Sequence, residues 1–505
     1  MKHTNKTIFS FNRAGGILLH PTSLPGDYGI GDIGTNAYKF VDFLKKNNFR
    51  VWQILPLGPT GYGNSPYQCF SAFAGNPYLI SIEQITKDYK VSDNIQKPDV
   101  RNPAKIDYEP IIQYKMAFLK NFFENYFTKL KLSTNEEYLQ FKNEQEYWLH
   151  DYALFMSIKD QFNQKSWLDW DLEFKLYNKK TLQEWSDQHT NEIEFHKFVQ
   201  FLFFSQWTEL KTYANSNGIT IVGDIPIYVS LDSSDVWSNQ KLFFLKEGKP
   251  MVVAGVPPDF FSKTGQLWGN PIYNWPLMKK NGYKWWLSRI SQMLQLVDII
   301  RLDHFRGFEA YWEVPGTAKT AETGKWIKGP DESLFKVLKK KFSPLPLIAE
   351  DLGVITPEVN ELRKKFSFPG MKILQMAFGD HDFVEKRFLP HNIEYNSVSY
   401  TGTHDNLPIL GWWNESSDET KESVLEYLND TEDNIISNLI RTVWASTSAL
   451  AVIPMQDLLH LGSDSRMNFP GTLSNNWEWR FQWSDLREQY IEEVQRFTEI
   501  YERLE

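Results

Sequence analysis

Three short apolar runs in this chain each lead into a carboxylate. Val297-Asp298-Ile299-Ile300-Arg301-Leu302 leads into Asp303, Leu345-Pro346-Leu347-Ile348-Ala349 leads into Glu350, and Ser397-Val398-Ser399-Tyr400 runs on through Thr403 and His404 to Asp405. In a parallel α/β barrel the C-terminal ends of such strands converge on one mouth, where catalytic groups collect. Two carboxylates with a third as helper are the equipment for cutting or transferring a glycosidic bond. Arg301 and Asp303 are two residues apart, so on a strand their side chains point the same way. A guanidinium beside Asp303 holds it ionised, which suits a nucleophile, or else closes the strand as a structural ion pair. Glu350 needs the opposite property, since a general acid must keep its proton near neutral pH through burial or a neighbouring carboxylate. The alternative for Glu350 is a capping or barrel-polar carboxylate, and Asp351 points away from the mouth if the strand stays regular.

Asp405 is suited to hydrogen-bonding the hydroxyls of the reacting sugar. His304 and His404 are either donors to neighbouring hydroxyls or packed polar residues. Asp224 closes a fourth run, Ile219–Pro226, as a further candidate or as a turn residue. No close His/Glu spacing of a metal-site type accompanies these residues.

The elements that must position these groups follow the same pattern. Short apolar runs bounded by turn residues predict eight strands, at 16–20, 51–57, 219–226, 297–303, 345–350, 371–378, 397–405 and 449–455. Helical spacing lies between the first two, with Ala37, Phe40, Val41 and Leu44 on one face. A helix follows the fifth strand, opening Thr356-Pro357-Glu358 with Thr356 as cap and Pro in its first turn. Eight alternating strands and helices predict one (β/α)8 TIM barrel over 1–505. Two connections are too long for simple loops. Residues 78–217 are charged and helical in pattern, a predicted helical insertion after strand two. Residues 231–276 are rich in Gly, Pro and aromatics, a predicted irregular loop arching over the mouth after strand three. The tail after Trp483 is helical, and no C-terminal β-domain is expected.

Composition narrows the partners. A net charge of −9 argues against nucleic acid or an anionic membrane surface. The single cysteine, Cys69, excludes an intrachain disulfide and a cysteine-based metal cluster. Neither a signal-peptide core nor a transmembrane-length apolar run is present, which predicts a cytoplasmic protein. The 19 Trp, 23 Tyr and 36 Phe provide ring faces on which sugars stack. Tyr62, in the loop Gly61–Tyr67, and Trp268 are placed either as such platforms or as anchors packing surface loops on the barrel.

These stretches together resemble the 4-α-glucanotransferases known as amylomaltases or disproportionating enzymes, relatives of the α-amylase clan. The matching segments are His20-Pro21-Thr22-Ser23-Leu24-Pro25-Gly26, Ser65-Pro66-Tyr67, Gly223-Asp224-Ile225-Pro226-Ile227-Tyr228, Gly255-Val256-Pro257-Pro258-Asp259, Arg301-Leu302-Asp303-His304-Phe305-Arg306-Gly307, Ala349-Glu350-Asp351-Leu352-Gly353 and Thr403-His404-Asp405-Asn406. They span nearly the whole chain. The resemblance implies Asp303 as nucleophile, Glu350 as acid/base and Asp405 as transition-state stabiliser. It implies Asp224, Arg301 and His404 in the substrate-binding shell, with Tyr62 and Trp268 lining glucose subsites. It further implies no metal or organic cofactor, with maltooligosaccharides and α-1,4-glucans as donors and glucans or glucose as acceptors. An amylase-type hydrolase and a non-catalytic glucan-binding barrel are the competing readings. Reducing-end release separates the first, and the presence of all three carboxylates weighs against the second.

Overall fold

A computed structural model describes residues 8–91, 95–258, 262–379, 386–472 and 474–504. Of the predicted aromatic loop, Asp259, Phe260 and Phe261 lie outside the described residues.

Eight strands close into a parallel barrel: β1 Ala14–Leu18, β2 Val51–Gln53, β3 Thr220–Ile225, β4 Ile299–Leu302, β5 Leu347–Ala349, β6 Gly370–Ile373, β7 Ser397–Tyr400 and β8 Leu450–Pro454. Neighbours in the barrel are neighbours in sequence, and β8 pairs with β1 to close it, Ala14 facing Leu450 and Leu18 facing Pro454. The strands are buried almost throughout, as a sheet covered on its outer face and filled on its inner face requires.

Every barrel strand expected from the sequence is present, but several ladders end sooner than the apolar runs do. The run 51–57 pairs only over Val51–Gln53, and 397–405 only over Ser397–Tyr400. The run 371–378 leaves the ladder after Ile373 and coils into a 3-10 turn, Leu374–Ala377. In the runs 51–57 and 371–378 the residues past the ladder stay mostly apolar and buried, so hydrophobicity outlasts strand pairing. The helix Pro357–Lys365 starts where expected, although Thr356 precedes it without a side-chain capping bond.

Residues 78–217 carry a run of helices ending in the 27-residue helix Thr190–Ser216, which delivers the chain to β3. Phe122, Phe123, Phe127 and Tyr138 pack their rings around Phe198 of that helix. The stretch 231–276 departs from expectation. It holds a short helix, Ser234–Ser238, and strands Val252–Val256 and Gln266–Pro271. These join Ala310–Pro315 and Lys325–Lys328, from beyond β4, in a four-stranded antiparallel sheet. Two local hairpins make this sheet, and the seam that joins them, Val252–Val256 against Ala310–Pro315, links distant chain, which local periodicity does not report. Among the described residues no further sheet follows β8, and the helix Glu488–Ile500 closes the chain. No described helix is long and apolar enough to cross a membrane.

Arg503 locks the barrel seam. Fully buried, it donates from Nε to the Trp444 carbonyl (2.7 Å), from Nη1 to Ala14 (3.2 Å) and Ser448 (3.1 Å), and from Nη2 to Ser446 (2.9 Å). It thereby ties the start of β1 to the approach of β8. Arg503→Met removes a donor from the Ala14 and Ser448 carbonyls, while Arg13 still reaches those of Trp444 and Ser446, and is expected to cost about 3 kcal/mol, read from the urea midpoint. An unchanged midpoint contradicts the role.

Candidate active site

Strand register places the carboxylates. Asp224 on β3 pairs with Arg301 on β4, and Leu302 pairs with Ala349 on β5. Asp303 and Glu350 are each one residue beyond that pair, so they leave adjacent strands at the same level. Main-chain bonds extend the ladder under them. The Asp303 amide donates to Ile225 O (3.0 Å) and the Glu350 amide to Leu302 O (3.0 Å).

Arg301 lies between two acids. Its Nη1 is 2.6 Å from Asp224 Oδ2 and its Nη2 is 3.0 Å from Asp303 Oδ1, while Nε faces Met371 Sδ at 3.3 Å. Asp224 also accepts from the Tyr67 hydroxyl at 2.8 Å. Burial works against the guanidinium, but Asp224 and Asp303 outweigh it and hold Arg301 well above its ordinary range. Burial, reinforced by Asp224, pushes the Tyr67 phenol well up, so it remains a donor. Asp303 keeps 30% of its side chain accessible.

Glu350 meets the opposite environment. Burial, then the neighbouring Asp303, push its carboxyl up to about 8, against the pull of Arg301 and of two backbone amides. Those amides belong to His304, on Oε2 at 2.7 Å, and Leu352, on Oε1 at 2.8 Å. His304 adopts a left-handed φ of 48°, uncommon for a residue with a side chain. The turn there directs its amide at Glu350. Asp351 points away, as the strand alternation requires, and pairs with Arg363 at 3.2 Å.

Asp405 is more open, with 45% of its side chain exposed. Asn468 Nδ2 donates to its Oδ1 (2.6 Å), Arg466 Nη2 donates to its carbonyl (2.5 Å), and His404 Nε2 lies 3.4 Å from Oδ2. The His404 ring stacks on Tyr67, with centroids 5.2 Å apart and planes 18° from parallel. The mouth thus holds one charged cluster around Arg301, one buried acid and one anchored, accessible carboxylate. Such a set can attack, protonate and stabilise around a single glycosidic carbon.

The sequence model of the 4-alpha-glucanotransferase family matches residues 19–486. The chain belongs to the 4-α-glucanotransferase family. A Synechocystis 4-alpha-glucanotransferase is 48% identical over 498 residues, covering 97% of this chain and 98% of that protein. The Thermus thermophilus 4-alpha-glucanotransferase is 45% identical over 501 residues, 97% and 99% of the two chains. A solved structure of amylomaltase from Streptococcus agalactiae in complex with acarbose superposes with a TM-score of 0.91 at 41% identity, covering 97% of this chain and 99% of that one.

Within this 4-α-glucanotransferase fold, Asp224, Arg301, Asp303, His304, Glu350, His404 and Asp405 all stand at the mouth. Trp268, on the strand Gln266–Pro271, joins them by packing edge-on against His304, centroids 4.8 Å apart. Burial pushes the His304 imidazole down to about 4, against the pull of Asp303. Tyr62 begins the 3-10 turn Tyr62–Asn64, and its side chain lies outside the described residues. Tyr67, from the same loop, is the ring that contacts both Asp224 and His404. Composition does not separate it from Tyr62, although the segment Ser65-Pro66-Tyr67 pointed to it. Asn468 and Arg466 were missed, because they come from the loop after β8 with no spacing that links them to Asp405. Among the described residues no group of three or more His, Cys, Asp or Glu is placed to hold a metal ion.

A proton held by Glu350 is also a statement about stability. The unfolded chain releases it near 4.5 and the folded chain near 8. Between these values the native state binds a proton that the unfolded state has lost, so stability falls as pH rises. Glu350→Gln removes this penalty. The variant's thermal midpoint should rise relative to wild type as pH goes from about 5 to about 8. A difference that stays constant across that range would mean Glu350 is already ionised.

Proposed function

We propose that this enzyme moves a segment of an α-1,4-glucan to the 4-hydroxyl of an acceptor glucan or glucose by a retaining double displacement. The observation that carries the reading is the electrostatic contrast between Asp303 and Glu350, which leave neighbouring strands side by side. Arg301 faces Asp303 with a guanidinium, while burial favours the proton on Glu350.

In the first step an Asp303 oxygen bonds to the anomeric carbon as the bond to the leaving glucan oxygen breaks. That oxygen takes the Glu350 proton, leaving a glucosyl ester on Asp303 and Glu350 as carboxylate. In the second step Glu350 takes the proton of an acceptor 4-hydroxyl, whose oxygen displaces Asp303 and restores the α-1,4 bond. Asp405, held by Asn468, bonds the hydroxyls of the reacting sugar most strongly when the ring is flattened. Two inversions at one carbon give retention. Transfer outpaces hydrolysis where water is kept from the ester, a role suited to Trp268 and to the Gly61–Tyr67 loop around the mouth.

Incubation with maltotriose alone tests the reaction. Glucose and a ladder of longer maltodextrins at constant reducing ends are expected, whereas rising reducing ends would identify a hydrolase. Asp303→Asn should lower transfer by about 10⁴-fold or more while the protein stays folded, since Asp224 still pairs Arg301. Near-normal transfer in that variant removes Asp303 from the role.

A further inference from the structure

Glu350 opens an exposed turn. Leu352 is half-buried against the core, but Gly353 is exposed and Val354 is 67% exposed, so few apolar contacts hold the tip of this segment in place. Yet its Leu352 amide is one of the two donors that set the Glu350 carboxyl. The turn is held by its carbonyls. Arg306 Nη1 donates to Val354 O at 2.5 Å, and Arg387 Nη2 donates to Gly353 O at 3.1 Å.

Arg306 is the better connected of the two. It starts the helical turn Arg306–Glu309, two residues after His304, whose amide holds the other Glu350 oxygen. Its guanidinium is buried and lies 4.0 Å from the ring centroid of Trp326. Trp326 is 41% exposed and packs edge-on against Trp312, its register partner on the neighbouring strand of the antiparallel sheet. Glu309 on the same turn and Glu358 on the helix Pro357–Lys365 are the acids that face Arg306. Glu309 is itself paired with Lys328 at 2.6 Å. Glu350 in turn faces Asp303 and Arg301.

We propose that Arg306, seated on Trp326, is a positioning residue for the acid/base: by holding the Val354 carbonyl it fixes the turn whose Leu352 amide sets Glu350 relative to Asp303. The inference rests on the reading of Glu350 as acid/base. An amide donating to a carboxylate favours the ionised form. Loss of that donor therefore raises the pH at which Glu350 ionises and loosens its aim at the leaving oxygen. Both effects act on the chemical step, and neither removes a contact to the ground-state sugar.

The test follows maltotriose transfer in Arg306→Leu and Trp326→Ala, with Trp326→Phe as the conservative control. In Arg306→Leu, kcat should fall about tenfold to a hundredfold. KM should change by less than about threefold. The alkaline limb of kcat/KM should move to higher pH by about half a unit or more. Trp326→Ala, a change on an exposed strand, should shift both in the same direction by less, and Trp326→Phe should restore them. Wild-type kcat and an unmoved alkaline limb in both Arg306→Leu and Trp326→Ala overturn the inference, whatever happens to the thermal midpoint. If Arg306→Leu does not fold, the same two readouts in Trp326→Ala decide alone. Glu350→Gln is measured beside them. Near-normal transfer there overturns the acid/base reading itself, a result distinct from failure of the Arg306 variants.

Discussion

The site is organised by one buried guanidinium. Arg301 is removed from water on the inner face of the barrel, and a charge in that position is costly unless its partners meet it closely. Asp224 and Asp303 do so at 2.6 and 3.0 Å. The bond to Asp224 requires β3 and β4 in one register, and the bond to Asp303 requires the chain to stay extended for one residue beyond the ladder. Tyr67 must come in from the loop after β2 to satisfy the same Asp224 oxygen. A slip of one residue between β3 and β4 would turn Arg301 to the opposite face and strand the acids. Barrel register and active-site charge are therefore one constraint.

Around that cation the two central carboxylates are driven apart in character. Asp303 shares the guanidinium and remains open to solvent, while Glu350 sits deeper, where burial and the charge of Asp303 favour its proton. The His304 and Leu352 amides pull the other way, so Glu350 is poised rather than locked. The proposed acid/base role requires such a balance, because the group would give up a proton in one half-reaction and accept one in the next. The left-handed turn at His304 and the exposed turn at Gly353 are where the backbone accommodates it.

Much of this was legible in the chain itself. Apolar runs ending in Asp303, Glu350 and Asp405 reported both the strands and the groups on their ends, since buried strands and charged termini are local patterns. Alternation alone distinguished Glu350 from Asp351 and aligned Arg301 with Asp303. What escaped was set by contacts between distant segments. Asn468 anchors Asp405 from beyond β8, Met371 faces Arg301 from β6, and the strand carrying Trp268 belongs to a sheet completed by Ala310–Pro315 and Lys325–Lys328. None of these pairings has a period or a spacing. Segment resemblance carried the functional class further than the residues alone, and it covered Tyr67 and Arg306 without stating what either one touches.

In the proposed mechanism Asp303 carries the glycosyl group between the two half-reactions. The most direct measurement uses Glu350→Gln with α-maltosyl fluoride, a donor whose leaving group needs no acid, followed by mass spectrometry of the digested protein. A maltosyl adduct on the peptide containing Asp303 is expected, since the second step lacks its base and the ester accumulates. An adduct on another carboxylate, or turnover to a product of inverted configuration with no adduct, would contradict it.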